Sequence, residues 1–154
     1  MNIRLCLLAA AVASVSFSSH AAVTESNLSL AEAQKLASAA IQSCAAKNYN
    51  VTVTVVDRAG LVTAVQRMDN AGPHTVEASR MKAYTALSTK NLSGKVMESA
   101  QNNAGAQNKS DVPGFLLLAG GVTIGRASGG ERGEISGVAG SLKQNTTIAM
   151  QCKP

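Results

Sequence analysis

His74 and the cations around it are the residues of this 154-residue chain whose types and spacing could do chemistry. The imidazole follows a Gly72-Pro73 step, and Arg67, Arg80 and Lys82 lie within eight residues of it. An imidazole can take an axial position on a haem iron, and guanidinium or ammonium groups can pair with its propionates. Met68 and Met81 read first as packing residues, with the thioether as a possible second iron ligand. Asp69 and Glu77 read as solvated or helix-end charges. A single histidine at a helix start is more often a surface or capping residue, so the weight falls on the elements that position it.

Other chemical patterns are weaker. Ser79-x-x-Lys82 has the form of a serine-lysine acylase motif, but no Ser-Asp-Asn or Lys-Thr-Gly companion occurs. Ser93-Gly94-Lys95 resembles the end of a phosphate-binding loop, but Thr89 stands where the earlier glycine is required and no strand precedes it. The glycines of 120–140 lack dinucleotide-binding spacing. No His/Cys cluster has zinc-site spacing. The net charge of +5 is diffuse, and after residue 21 only Tyr49, Tyr84 and Phe115 are aromatic. Nucleic acid is therefore not the expected partner, since it calls for a basic patch or stacking platform.

Ser29-x-x-Glu32 forms a capping box ahead of a helix. Ala33, Leu36, Ala37, Ala40, Ile41 and Cys44 follow as one apolar stripe at spacings of three and four, and Lys47-Asn48 ends it. Residues 51–57 alternate as a β-branched strand, Asp57-Arg58-Ala59-Gly60 turns, and 61–68 returns as a hairpin partner. Asn70-Ala71-Gly72-Pro73 breaks the pattern before a second helix from 74 or 75 to 87. Residues 90–112 read as a short helix and a loop. Strands are expected at 115–119, 122–126 and 134–141, a Gly-rich turn at 127–133, and a terminal helix at 143–151. Neighbouring strands with short turns favour an α+β fold. The expected form is an antiparallel β-sheet with helices packed on one face, in a three-layer arrangement of the profilin or PAS kind.

Residues 1–21 read as a signal peptide. Arg4 precedes an apolar stretch over 5–15, and Ser19-His20-Ala21 supplies small residues at a cleavage site before Ala22. That stretch is too short to span a bilayer of about 30 Å. The expectation is a single periplasmic or secreted domain over 22–154, without stable membrane insertion. Its two cysteines, Cys44 and Cys152, then suggest one disulfide in an oxidising compartment. Two buried, unpaired thiols are the alternative.

Three segments together resemble the GlcG/HbpS-like family of haem-binding proteins: Val53-Thr-Val-Val-Asp-Arg-Ala-Gly-Leu61, Arg67-Met68-Asp69-Asn70-Ala71, and Lys82-Ala83-Tyr84-Thr85-Ala86. Gly120-Gly121-Val122-Thr123-Ile124 and Ile135-Ser-Gly-Val-Ala-Gly140 extend the likeness to about residues 28–151. Asn70 and Thr123 stand where the family usually has Gly and Pro. The resemblance implies a sheet with helices, homo-oligomers, and a small-molecule ligand, haem or a related tetrapyrrole. On that footing His74 would be the iron ligand, Arg67, Arg80 and Lys82 would meet propionates, and Met68, Met81 and Tyr84 would form walls. An enzyme or accessory protein acting on a small carboxylate or hydroxy acid is the alternative, with the same three cations holding the carboxylate.

Overall fold

The computed structural model describes residues 27–124 and the backbone of 146–149. The signal peptide at 1–21, the turn at 127–133, the strand at 134–141 and Cys152 lie outside the described residues.

Helix α1 spans Leu30–Ala45 and opens on the capping box expected from sequence. The Ser29 hydroxyl accepts from the Glu32 N–H at 3.3 Å, and Glu32 Oε2 accepts from the Ser29 N–H at 2.9 Å. Two otherwise orphaned donors are thus satisfied at once. Strands β1 (Thr52–Val56) and β2 (Val62–Arg67) form the expected antiparallel hairpin. The Asp57 carboxylate closes it by accepting from the Ala59 and Leu61 N–H groups, both at 2.9 Å, while Gly60 takes φ +83°. A positive φ here is natural for glycine and strained for other residues.

Helix α2 covers Thr75–Thr89 and stops where Lys90 turns left-handed at φ 52°. Helix α3 (Ser93–Asn102) is the short helix expected in 90–112. The segment after it is a 3₁₀ helix, Ala104–Asp111, where a loop was expected. Asn103 starts it by accepting from the Gly105 N–H at 2.9 Å.

Two expectations are corrected. Residues 115–119 are not a strand; their backbone is tied to α2 instead, with the Leu116 N–H donating to Thr85 Oγ1 at 2.9 Å. The terminal helix at 143–151 is also overturned, because Thr146–Ala149 is a strand, β4. It lies between β1 and β3 (Gly121–Ile124), giving a four-stranded antiparallel sheet in the order β2-β1-β4-β3. Thr146, Thr147 and Ile148 are β-branched, residue types that favour a strand over a helix.

Strand β1 is buried along its whole length and organises both faces. Val51, Val53 and Val55 pack with Ala33, Leu36, Ala37, Ala40 and Cys44 of α1. A buried Val or Leu contributes about 1.5–3 kcal/mol relative to exposure, so this cluster is the main apolar core of the described chain. The alternate residues Thr52, Thr54 and Val56 meet α2 through Thr75, Ser79 and Ala83. Helices α1 and α2 therefore cover opposite faces, which corrects the expected packing of the helices on one face, and the α+β sheet takes its three-layer form.

Candidate functional site

The turn between β2 and α2 carries the exposed chemistry. Arg67 sits opposite Thr52 in the β-ladder, and Thr52 bonds to Thr75 of α2. Directly opposed residues share a face, so Arg67 emerges on the α2 side of the sheet. Its guanidinium then donates to the Ala71 carbonyl, strapping the turn. The Ala71 N–H donates to the Met68 carbonyl at 3.0 Å. The Gly72 carbonyl accepts both the Thr75 N–H at 3.0 Å and Thr75 Oγ1 at 2.6 Å.

His74 stands at the head of α2 and is exposed. Its side chain does not cap the helix and makes no hydrogen bond to a described residue. The ring rests against Gly72 instead. An imidazole in this state has a lone pair to offer a metal centre.

The other expected site residues are dispersed. Arg80 is on α2 but is engaged by Glu77, with its Nε at 3.0 and 3.1 Å from the two carboxylate oxygens. That hydrogen-bonded pair holds the Glu77 carboxyl below its usual pKa. Lys82 is buried, and burial pushes its pKa below the ordinary lysine value. At a rise of about 1.5 Å per residue, Lys82 lies about 12 Å along the helix from His74. Its carbonyl abuts Gly121 of β3, at the opposite edge of the sheet from Arg67.

Tyr84 packs edge-on against Phe115, with ring centroids 6.0 Å apart, and lies against Gly60 and Gly114. Met81 is half-buried, and its carbonyl accepts from Thr85 Oγ1 at 2.9 Å. Met68 packs on the α1-side core, and its sulfur accepts the Val51 N–H at 3.4 Å. Arg67 and His74 thus both rest on the turn, at Ala71 and Gly72, while Arg80, Met81, Lys82 and Tyr84 follow farther along α2. Met68 stands behind the sheet. Arg67 and Lys82, at opposite edges of the sheet, do not converge as a small carboxylate held by both would call for.

Several buried hydroxyls that shape this face carried no motif. Ser79 Oγ donates to the Val76 carbonyl at 2.9 Å, which uses its one proton. Thr54 Oγ1 must then donate in the 2.6 Å contact with Ser79. Thr75 likewise spends its proton on Gly72, so Thr52 donates to it at 2.7 Å. Ser79 is therefore an interior bonding group and not an exposed nucleophile beside Lys82. Ser93 is buried too, donating to the Leu118 carbonyl at 2.6 Å and accepting from the Gly121 N–H at 2.8 Å. It is a pin for the Gly120-Gly121 corner, at a place where sequence only hinted at a phosphate loop. Among the described residues no cluster of three or more His, Cys, Asp or Glu could hold a metal ion. None of the described helices is long and apolar enough to cross a membrane.

The family model of the HbpS-like haem degrading proteins matches residues 28–151. Among solved structures, a double mutant of HbpS from Streptomyces reticuli is 27% identical, with a TM-score of 0.71 over 94% of this chain and 87% of that one. A second HbpS structure is 29% identical, with a TM-score of 0.68 over 84% and 79% of the two chains. A PduOC–haem complex is 19% identical, with a TM-score of 0.65 over 84% and 85%, and that likeness shows the fold alone. No curated protein sequence matches the chain.

Proposed function

The chain belongs to the HbpS-like family, and on that premise we propose that it is an exported protein binding haem or a closely related tetrapyrrole. The observation that carries the reading to particular residues is the exposed His74 imidazole, which no described residue engages. Haem supplies an iron with an axial position that such an imidazole can fill. Arg67 is beside it on the same turn, and a guanidinium has five N–H donors. One is given to the Ala71 carbonyl, leaving others for a propionate.

The remaining residues take lesser parts in this reading. Arg80 gives Nε and Nη2 to Glu77 and has only its Nη1 side for a ligand, and Lys82 reaches one only from a buried position. Met81 and Tyr84 line α2 beyond the imidazole, and Met68 supports the turn from the opposite face. Export fits the leader-like residues 1–21 and would allow Cys44 and Cys152 to pair.

The test is a spectroscopic titration of the purified protein with haem, for wild type and His74→Ala. A Soret band that shifts on binding in the wild type, and is altered or lost in the variant, supports the assignment. Identical spectra for the two proteins remove His74 from the site.

A further inference from the structure

We propose that Gly72 is a positioning residue for the His74 imidazole, seating the ring on the turn so that Nε2 is the nitrogen left more open to a ligand. The functional meaning rests on the haem-binding reading above; the geometry does not. The backbone on either side is fixed at successive carbonyls: Ala71 by Arg67, and Gly72 by the N–H and hydroxyl of Thr75. Thr75 is itself tied to β1 by Thr52. The ring that follows lies directly on Gly72. A Cβ at position 72 would be 2.8 Å from His74 Cε1 and 3.0 Å from Nδ1, with Nε2 farther off at 3.8 Å. The Nδ1–Cε1 side therefore lies closest to the peptide platform, and Nε2 is the more open of the two nitrogens.

Any side chain at position 72 would occupy the space of the ring. The nearest atoms it would meet all belong to His74, the mobile end of a side chain. Gly72 is also not among the positive-φ glycines, so alanine suits its backbone. Gly72→Ala should thus leave the fold intact and move the imidazole. Groups that orient a metal ligand commonly change metal affinity without touching the metal.

The experiment uses full-length mature protein as wild type, Gly72→Ala, His74→Ala and the double variant. In the ligand-free protein, the His74 ring signals in a long-range ¹H–¹⁵N spectrum are expected to shift in Gly72→Ala, while amide signals distant from the turn stay in place. In haem titrations, Gly72→Ala should weaken binding roughly tenfold and have no further effect in the His74→Ala background. Unchanged His74 ring signals in Gly72→Ala overturn the positioning role. So does an equal loss of haem affinity from Gly72→Ala with and without His74. If haem binds wild type and His74→Ala alike, the ligand reading fails separately, and the ring signals alone decide the role of Gly72.

Discussion

Thr54 of β1 donates a 2.6 Å hydrogen bond to Ser79 of α2, one rung of a ladder that begins at Thr52–Thr75 and ends in the Val56–Ala83 contact. The rungs step by two along the strand and by four along the helix. Two strand residues advance about 6.6 Å and four helical residues about 6 Å, so α2 runs alongside β1 in register. Ser79→Ala leaves the buried Thr54 hydroxyl without its acceptor. A loss of about 1–3 kcal/mol in urea unfolding is expected, with part of it restored in Thr54→Val/Ser79→Ala. Additive losses in the double variant would show that the rung contributes no coupling.

Gly121 marks where α2 meets β3 at backbone distance. A Cβ there would be 2.2 Å from the Lys82 carbonyl oxygen and 2.8 Å from its carbon, and neither can swing aside. Gly121→Ala is expected to cost about 3 kcal/mol or more, whereas Gly105→Ala, whose nearest contact is 3.4 Å, should stay within about 0.5 kcal/mol. Thermal unfolding of the two variants decides it; equal melting points would contradict the close approach.

These two contacts show how far sequence reaches. The capping box at Ser29–Glu32, the apolar stripe from Ala33 to Cys44 and the Asp57–Gly60 hairpin turn are local signals, and each formed where its residues indicate. The second helix ended two residues later than the pattern suggested, at a left-handed Lys90 that no glycine announced. Strand β4 carries no decisive local signal, because its four residues follow a polar stretch and gain their identity only by lying between β1 and β3. The 115–119 run is apolar enough for a strand, but Thr85 claims the Leu116 N–H before another strand can. At the site, what was legible is that Arg67 and His74, seven residues apart, flank one turn. The hydroxyl ladder was not: Thr52 and Thr54 reveal their partners only once α2 is laid on β1. Nor was the dispersal of Arg80 and Lys82, since sequence proximity on a helix does not say which side chain is taken by Glu77 and which is buried.

Cys44 and Cys152 are expected to form a disulfide in protein recovered from an oxidising compartment. Cys44 is buried near the end of α1, where the Tyr49 N–H returns to its carbonyl at 3.1 Å just before β1 begins. Strand β4 runs antiparallel to β1, from opposite Val56 to opposite Thr54, and so heads toward that same end of the sheet. Cys152 follows only three residues after Ala149. The non-reduced protein should be lighter than the reduced form by two hydrogens, and digestion should release a linked peptide pair. Closing a loop of about a hundred residues is worth about 4–5 kcal/mol in the chain-entropy model, so reduction should lower the melting temperature markedly. Two freely alkylated thiols in the unreduced protein would rule the bond out.

Acid should weaken the fold through two carboxylates on exposed helix turns. Glu32 is held below its ordinary pKa by hydrogen bonds from the Ser29 backbone and then its side chain, and Glu77 by its hydrogen bonds with Arg80. A carboxylate with a lower pKa folded than unfolded stabilises above the unfolded value, about 4.3 for Glu, and that stabilisation disappears as pH falls through the folded value. The urea midpoint should therefore decline as pH drops from about 5 into the range below 4. Glu32→Gln/Glu77→Gln should show a shallower decline. The two contributions separate with salt: the exposed Glu77–Arg80 pair is worth only some tenths of a kcal/mol and is screened at 1 M salt, where the Debye length is about 3 Å. The short capping bonds of Glu32 are local and should persist. A pH profile for the double variant that overlays wild type in low salt would remove both groups from the acid response.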